Sequence, residues 1–267
     1  MYPQAPVLLR RDEAPISAMI SKPNADYFLQ EARNANAQNR NDEARRHYED
    51  ALRLYRGEQN RLGEAHVLKG LGDLESMLGR NDEARRHFED AHRLYQGEHN
   101  PLGQAHVTFS LGELELKLAC NDEARKHFED AHRIYRAQQD RRGEAHALRG
   151  LGDLENALGR NNEARRYYED AHRIYQAQQD RLGEAHVLRS LGDLENTVGH
   201  NDEARRYYED ARLLYRGEQH RLGEANVLRG LGFLERKLGR NDEVRKHFED
   251  ARLLYRSVQD RLGEANE

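Results

Sequence analysis

The sequence predicts an all-α fold in which tandem antiparallel helix hairpins stack into a solenoid. Three observations lead to this fold class. A phrase that begins Asn81-Asp82-Glu83 recurs with small changes, at a constant interval, from Asn41 to Asn241. Both halves of the repeating unit carry apolar residues at helical spacing. The mean hydropathy of −1.08 leaves too few large apolar residues for one thick core, so an elongated stack of thin layers fits better.

The composition excludes several partner classes. The 267 residues include 43 Lys and Arg against 48 Asp and Glu, a formal net charge of −5. Without a basic field, we expect no nucleic acid and no membrane surface as partner. A single cysteine, Cys120, cannot form an internal disulfide, and no stretch has the apolar length of a membrane span or signal peptide. We therefore expect a cytoplasmic protein, with the nucleus as the alternative.

The second segment of each unit predicts a helix. We interpret Asn81 as its N-cap, because the two carboxylates that follow complement the positive end of a helix dipole. Downstream, Ala84, Phe88, Ala91 and Tyr95 are spaced 4, 3 and 4 residues apart and form one stripe. The rest of the helix surface is charged, so one narrow face is predicted to be buried.

The first segment predicts another helix, antiparallel to the second. It carries small and apolar residues at helical spacing, namely Ala65, Leu68, Leu71, Gly72, Leu74 and Leu78. It ends at Gly79, which suits the left-handed stop after a helix. Asn100-Pro101 places an N-cap before a proline at the first helical position, which predicts a helix start near residue 61 and at the same place in every later unit. Glycine inside a helix costs about 1 kcal/mol, so Gly72 indicates close helix approach, and we expect it to face Ala84 and Ala91.

The domain boundaries follow from the positions of the predicted helix starts. Four of the five prolines precede residue 24, so residues 1–23 are predicted to be an extended leader. Residues 24–260 hold six hairpins, expected near 24–57, 62–97, 102–137, 142–177, 182–217 and 222–257. Residues 261–267 are interpreted as the truncated start of a further helix. With so little chain after it, the last complete helix is expected to leave Phe248 and Tyr255 partly exposed.

These residues resemble the tetratricopeptide repeat family, in the pattern Leu71-Gly72, Gly79, Ala84, Phe88 and Ala91. The period of 40, against the family's usual 34, is similar to the longer subclass of Pins-type adaptors and of arrays in signalling NTPases. One departure is Glu75, which stands where an aromatic residue is common. The resemblance covers residues 24–267. It implies a right-handed superhelix whose first helices line a concave groove that binds a protein or peptide.

The family's groove positions, carried over by register, are polar with apolar islands. They are His66, Lys69 and Asp73; His106, Phe109, Glu113 and Leu116; His146, Arg149, Asp153 and Asn156; His186, Arg189, Asp193 and Asn196; and Asn226, Arg229 and Phe233. Arg149 with Asp153, and Arg189 with Asp193, are i,i+4 pairs that could simply neutralise each other on a solvated face. Phe109, Leu116 and Phe233 break the polar pattern and are interpreted as exposed contact sites.

No catalytic residue, metal ligand or cofactor is predicted. Gly70-Leu71-Gly72 is a fragment of a dinucleotide motif, but it lies mid-helix with no preceding strand, so packing explains it better. His66 and its equivalents occur once per repeat, roughly 10 Å apart, too far to share an ion whose ligands lie about 2 Å away. Cys120 has no recurring acid–base companion and is interpreted as a turn thiol.

Three functions from different classes stay open. The first, which we favour, is a scaffold that binds an acidic peptide or a partner helix in its groove. The second is a recognition array detached from a larger signalling ATPase. The third is a self-assembly module, in which a homodimer forms through the array ends or through the leader. An enzyme is a distant fourth, for want of a nonrepeating acid, base and nucleophile set.

Overall fold

The computed structural model describes residues 24–264, and the side chains of residues 24–258. Within this range the chain forms twelve helices and no strand, as the sequence predicts. The helices are α1 (Ala25–Ala37), α2 (Asn41–Gly57), α3 (Arg61–Met77), α4 (Asn81–Gly97), α5 (Pro101–Lys117), α6 (Asn121–Ala137), α7 (Arg141–Ala157), α8 (Asn161–Ala177), α9 (Arg181–Val198), α10 (Asn201–Gly217), α11 (Arg221–Lys237) and α12 (Asn241–Glu264). They confirm an all-α, right-handed solenoid of helix hairpins. The predicted leader, residues 1–23, lies outside the described residues.

The turns give the solenoid its regularity. Helices of similar length, such as α3 and α4, are joined by turns of two or three residues, and helix starts recur at a fixed interval along the chain. The middle residue of each turn has a positive φ, as at Gly79 (φ 77°) and Gln139 (φ 57°). The predicted left-handed stop at Gly79 is therefore confirmed. The same conformation recurs at residues that have a Cβ and adopt it at an energetic cost.

The helix starts match the sequence in one segment and correct it in the other. Asn100 is the N-cap of α5, with Pro101 at the first helical position, and its side chain accepts a hydrogen bond from the Gly103 amide. Asn81, predicted as an N-cap, is instead the first residue of α4. Arg80 is the N-cap instead, and it makes no side-chain cap bond because a guanidinium has no acceptor. Its amide closes the preceding turn by donating to the Glu75 carbonyl at 2.9 Å.

Aromatic rings fill the space between successive hairpins. The predicted stripe is confirmed, since Phe88 is 1% exposed and Tyr95 3%. The partner expected for Gly72 is wrong: a Cβ there would lie 2.5 Å from the Phe88 ring, not against alanine methyls. Likewise, a Cβ at Gly63 would lie 2.4 Å from the Tyr55 ring. The glycines are needed because these rings lie directly on the backbone of the first helices.

The helix contacts define an inner and an outer surface. Each helix packs against the next, and first helices also contact the next first helix, as α5 does α7 and α9 does α11. Second helices make no such contacts with one another among the described helices. The first helices therefore converge on the concave side, and the second helices spread apart on the convex side. None of the helices in the described range is long and apolar enough to cross a bilayer.

The C-terminal end differs from the interior repeats. Phe248 and Tyr255 are half-buried, whereas their equivalents elsewhere are buried, which confirms the expected partial exposure. The boundary expected before Arg261 is not a turn, because α12 runs without interruption from Asn241 to Glu264. Elsewhere a full-length first helix packs behind the turn and offsets the cost of its left-handed residue.

Candidate functional site: the concave groove

Two positions on each first helix, four residues apart, define the groove. The first position holds Lys69, Phe109, Arg149, Arg189 and Arg229, and the second holds Asp73, Glu113, Asp153, Asp193 and Phe233. Side chains of both positions line a cavity of about 470 Å³ between α3, α5 and α7. The structure thus brings Lys69, Asp73, Glu113 and Arg149 together around one cavity.

Of the two predicted i,i+4 pairs, the one on α7 forms and the one on α9 does not, and α3 carries an equivalent pair that was not predicted. Lys69 Nζ lies 2.7 Å from an Asp73 oxygen, and Arg149 lies 3.0 Å from an Asp153 oxygen. Arg189 has no ion-pair partner among the described residues, so its predicted pair with Asp193 is wrong. The Asp193 carboxylate is already engaged.

Tyrosine hydroxyls supply the alternative partners for these carboxylates. Tyr208 donates to Asp193 at 2.6 Å, and Tyr168 donates to Asp153 at 2.8 Å. The two earlier repeats have Phe88 and Phe128 at this position and supply no hydroxyl. Asp73 bonds Lys69 instead, so Glu113 is the groove carboxylate with the fewest close partners.

The three apolar residues at otherwise polar groove positions differ in exposure. Phe109 is only 8% exposed, with its ring 5.4 Å from that of Phe128, and Leu116 packs half-buried against the same cluster. The prediction that these two are exposed contacts is wrong, because an apolar side chain at either place can join the neighbouring core. Phe233 is 43% exposed, and the Arg236 guanidinium lies 5.0 Å from its ring centre. It stays a candidate contact.

A ladder of histidines runs along one edge of the groove. His66, His106, His146 and His186 each lie against a tyrosine of the following helix, with ring centres 5.3 to 6.0 Å apart. Burial lowers the pKa of all four, and the pKa values of His146 and His186 fall to about 4, with Arg149 adding to both shifts. These imidazoles are neutral at pH 7. Asn226 takes the fifth place and accepts from the Tyr255 hydroxyl at 2.7 Å.

The remaining predicted groove residues have modest roles. Asn156 and Asn196 lie near the C-terminal ends of α7 and α9 and are half-buried. The backbone carbonyl of Asn196 accepts a hydrogen bond from Lys237 Nζ at 2.7 Å. Arg229 on α11 is exposed. Burial raises the pKa of the Asp73, Glu113 and Asp193 carboxyl groups, so charge in the groove is held in a partly desolvated setting.

A second row of acids, two residues further along each first helix, was missed from the sequence. These glutamates point away from the groove, are almost fully buried and accept an arginine from the preceding second helix. The five pairs are Arg45–Glu75, Arg85–Glu115, Arg125–Glu155, Arg165–Glu195 and Arg205–Glu235, at 2.5 to 2.8 Å. The available signal was the recurrence of an acid inside the leucine stripe together with an arginine at a fixed distance before it in the sequence.

The residue five positions after each buried glutamate usually adds a second cation. Arg80 and Arg160 lie 3.4 and 3.3 Å from their glutamates. At the equivalent place Cys120 leaves Glu115 with Arg85 alone, and desolvation together with nearby Glu115 raises the pKa of the thiol. A raised thiol pKa is the opposite of nucleophile activation, which supports the interpretation of Cys120 as a turn thiol.

His200 takes the same place in the repeat of Glu195. Its Nδ1 lies 2.8 Å from Glu195 and 3.5 Å from Glu203, and these three residues are the one group in the described range close enough to hold a metal ion. Arg165 already lies 2.5 Å from Glu195, and the N-terminus of α10 adds partial positive charge. We interpret the cluster as an ion-pair network and not as a cation site.

Comparison with known proteins identifies the repeat. A model described as tetratricopeptide repeat matches residues 26–97, 104–177, 147–217 and 183–257. The chain belongs to the tetratricopeptide repeat family. The resemblance inferred from the sequence is therefore confirmed, whereas the 40-residue subclass stays a prediction. A search of curated proteins found no match.

Several solved tetratricopeptide-type structures share the fold. The Rap conjugation gene regulator of plasmid pLS20, in complex with the Phr* peptide, has a TM-score of 0.71 and 15% identity and covers 93% of this chain and 80% of its own. A Rap protein complexed with competence and sporulation factor has a TM-score of 0.70 and 15% identity, covering 90% and 76%. BtubC from P. vanneervenii has a TM-score of 0.62 and 18% identity, covering 86% and 92%. At such identities the likeness shows the fold alone.

Proposed function

We propose that this protein is a non-enzymatic interaction scaffold that binds a peptide or a partner helix in its concave groove. The observation that carries the proposal is the contrast between the two layers of the solenoid. The second helices use their arginines to fix the stack, as Arg45 and Arg85 do. The first helices hold Arg189 and Arg229 in the groove with no ion-pair partner among the described residues.

Unpaired cations on a curved, partly desolvated surface are available to a ligand. Family membership supports an interaction role. The two Rap neighbours, solved in complex with the Phr* peptide and with competence and sporulation factor, make a peptide a reasonable ligand class for this fold. The detached sensor array and the self-assembly module stay as alternatives, and no contact among the described residues favours either. The leader-mediated dimer concerns residues outside the described range.

The test is selection of random dodecapeptides by display on the purified chain. Enriched peptides are then measured against a groove variant, with Arg149, Arg189 and Arg229 all changed to Gln. A matched outer-face variant has Arg86, Arg166 and Arg206 all changed to Gln, three exposed arginines on second helices. We expect affinity at least tenfold weaker for the groove variant and unchanged for the outer-face variant. Glutamine is preferred to glutamate because an acid at 149 would repel the adjacent Asp153.

Two results would overturn the proposal. Failure to enrich any peptide would remove groove binding of short segments. Enriched peptides that lose affinity on the outer-face variant and keep it on the groove variant would move the binding surface to the convex side. Arg165 is left unchanged in the outer-face variant, because it bonds buried Glu195 and its loss would destabilise the stack.

A further inference from the structure

Glu113 is the groove carboxylate with the least compensation. The residue four positions earlier is Phe109 where other repeats have a cation, and the residue 15 positions later is Phe128, whereas Asp153 and Asp193 each have a tyrosine hydroxyl from that place. Its nearest cation, Arg149, lies 3.9 Å away and already bonds Asp153 at 3.0 Å. The Glu113 side chain is 54% exposed, so an incoming group can reach it.

The cavity around Glu113 has walls suited to a cation. His106, Phe109, Tyr135 and His146 line it, and the rings of Phe109 and Tyr135, although largely buried, favour a positive charge nearby. The histidines add no opposing charge at pH 7, since burial lowers the pKa of both.

The cations that line this cavity are already bound to other residues. Lys69 lies 2.7 Å from Asp73, and Arg142 lies 2.7 Å from Asp180. A lysine or arginine side chain, or a free amino terminus, would therefore meet an open carboxylate with aromatic walls.

At the other end of the groove, cations and not carboxylates lack partners. Arg189 Nε is buried without a hydrogen-bond partner, and Asp193 beside it already accepts from Tyr208. On α11, Arg229 has lost the acid four residues later, where Phe233 stands. Two guanidinium groups face a single, already bonded carboxylate. This pair fits a carboxylate or another anionic group of a ligand.

We propose that the groove is bipolar: it holds a cationic group of a bound peptide at Glu113 and an anionic group at Arg189 and Arg229. The inference rests on the proposed function and adds the direction in which the peptide lies. The two ends are two to three first helices apart, or roughly 20 to 30 Å at usual helix spacings. An extended peptide covers that distance in about six to nine residues. The intermediate α7 holds Arg149 and Asp153 as a closed pair and contributes little net charge.

The test uses a random octapeptide display library selected in parallel on four proteins. These are the wild type, Glu113→Gln, the double variant Arg189→Gln with Arg229→Gln, and the outer-face control Arg166→Gln. We expect wild-type and control selections to enrich peptides with a basic residue near one end and an acidic residue near the other. Glu113→Gln removes the basic preference alone, and the double arginine variant removes the acidic preference alone. Individual octapeptides lose about tenfold in affinity when one end is disabled.

The outcomes separate this inference from the function beneath it. Enriched peptides without charge order, or with the same preferences on all four proteins, overturn the bipolar groove and leave peptide binding intact. No enrichment on any protein overturns both. Peptides whose basic preference disappears on the double arginine variant and persists on Glu113→Gln reverse the assigned direction and also refute the inference.

Discussion

Two acidic positions, only two residues apart on the same first helices, lie in opposite environments. The acid at 73, 113, 153 and 193 faces the groove, and its partners differ from repeat to repeat. The acid at 75, 115, 155, 195 and 235 lies on the opposite face, is nearly fully buried, and always bonds an arginine of the preceding repeat. The helical rotation of about 200° between the two positions decides whether a carboxylate is available to a ligand or fixes the stack.

The largest effect is expected where a buried glutamate has one cation. Arg85→Met leaves Glu115 with no ion-pair partner, because Cys120 replaces the second cation, and an uncompensated buried carboxylate costs about 3 kcal/mol. In the groove, Lys69→Met should change the free energy of unfolding by about 0.5 kcal/mol or less. Chemical denaturation measures both variants.

A rescue sharpens this comparison. Cys120→Arg supplies the cation that Arg80 and Arg160 give elsewhere, so it should recover more than half of the stability lost in Arg85→Met. Equal losses for Arg85→Met and Lys69→Met would show that the two acidic positions do not differ energetically as their burial suggests.

The next effect concerns the contacts between aromatic rings and the glycines of the first helices. Gly152→Ala places a Cβ 2.5 Å from the Tyr168 ring, which is also held by its bond to Asp153. We expect a loss of about 2 kcal/mol from overpacking, and weaker peptide binding as α7 moves away.

Gly97→Ala is the matched control for this substitution. No atom lies within 4 Å of a Cβ at residue 97, and Ala137 and Ala177 occupy the same position in later repeats. The control should be neutral or slightly stabilising in the same denaturation experiment. A Gly152→Ala protein as stable as the control would mean that the aromatic rings can shift freely.

A smaller effect is expected from the pH dependence of stability that the groove histidines cause. The pKa values of His146 and His186 fall to about 4 from an ordinary 6.5, so folding disfavours their protonation. Their contribution to stability is complete above pH 6.5 and is lost as pH falls towards 4. After allowance for solvent on the open side of the groove, this is about 1 kcal/mol for each histidine.

Changing both histidines to Asn, the residue that stands at 226, should flatten this decline between pH 6.5 and 4.5 in denaturation midpoints. Arg142, Arg149, Arg189 and the acids at 140 and 180 also face these histidines and are common to both proteins. Asp73 and Glu113, whose raised pKa values act in the opposite direction, cancel in the same comparison. An unchanged slope would show that the imidazoles do not titrate as their burial implies.

The repeat phase and the helix starts could be predicted because they depend on local signals. Pro101, Gly79 and the spacing of Ala84, Phe88 and Ala91, 4 and then 3 residues, each depend on the local sequence of one helix. The groove residues could be selected for the same reason, since facing inward is a matter of register. Their partners could not, because the bond from Tyr208 to Asp193 joins side chains 15 residues apart in two helices.

The row of buried glutamates could not be predicted for a related reason. Glu75 alone looks like an ordinary helix-surface acid, and its burial follows only from the placement of Arg45 in the preceding repeat. Phe109 and Leu116 were misjudged in the same way, because a neighbouring core was close enough to take them in. Long-range pairing, and not helix periodicity, decides which charged or apolar positions stay open to a ligand.

The smallest effect tests the turn next to the weakest buried pair. Ala119 has φ 60° where Gly79, Gly159, Gly199 and Gly239 occupy the equivalent turns. Left-handed backbone costs a residue with a Cβ about 1–2 kcal/mol, and the extra entropy that glycine loses on folding offsets part of the gain. Ala119→Gly should therefore stabilise the chain by about 0.5 kcal/mol, and Gly159→Ala should destabilise it by a similar amount, both read from denaturation midpoints. If Ala119→Gly lowers stability, contacts other than the backbone conformation hold the turn before Cys120. The single ion pair of the neighbouring Glu115 would then not mark this turn as a site of low stability.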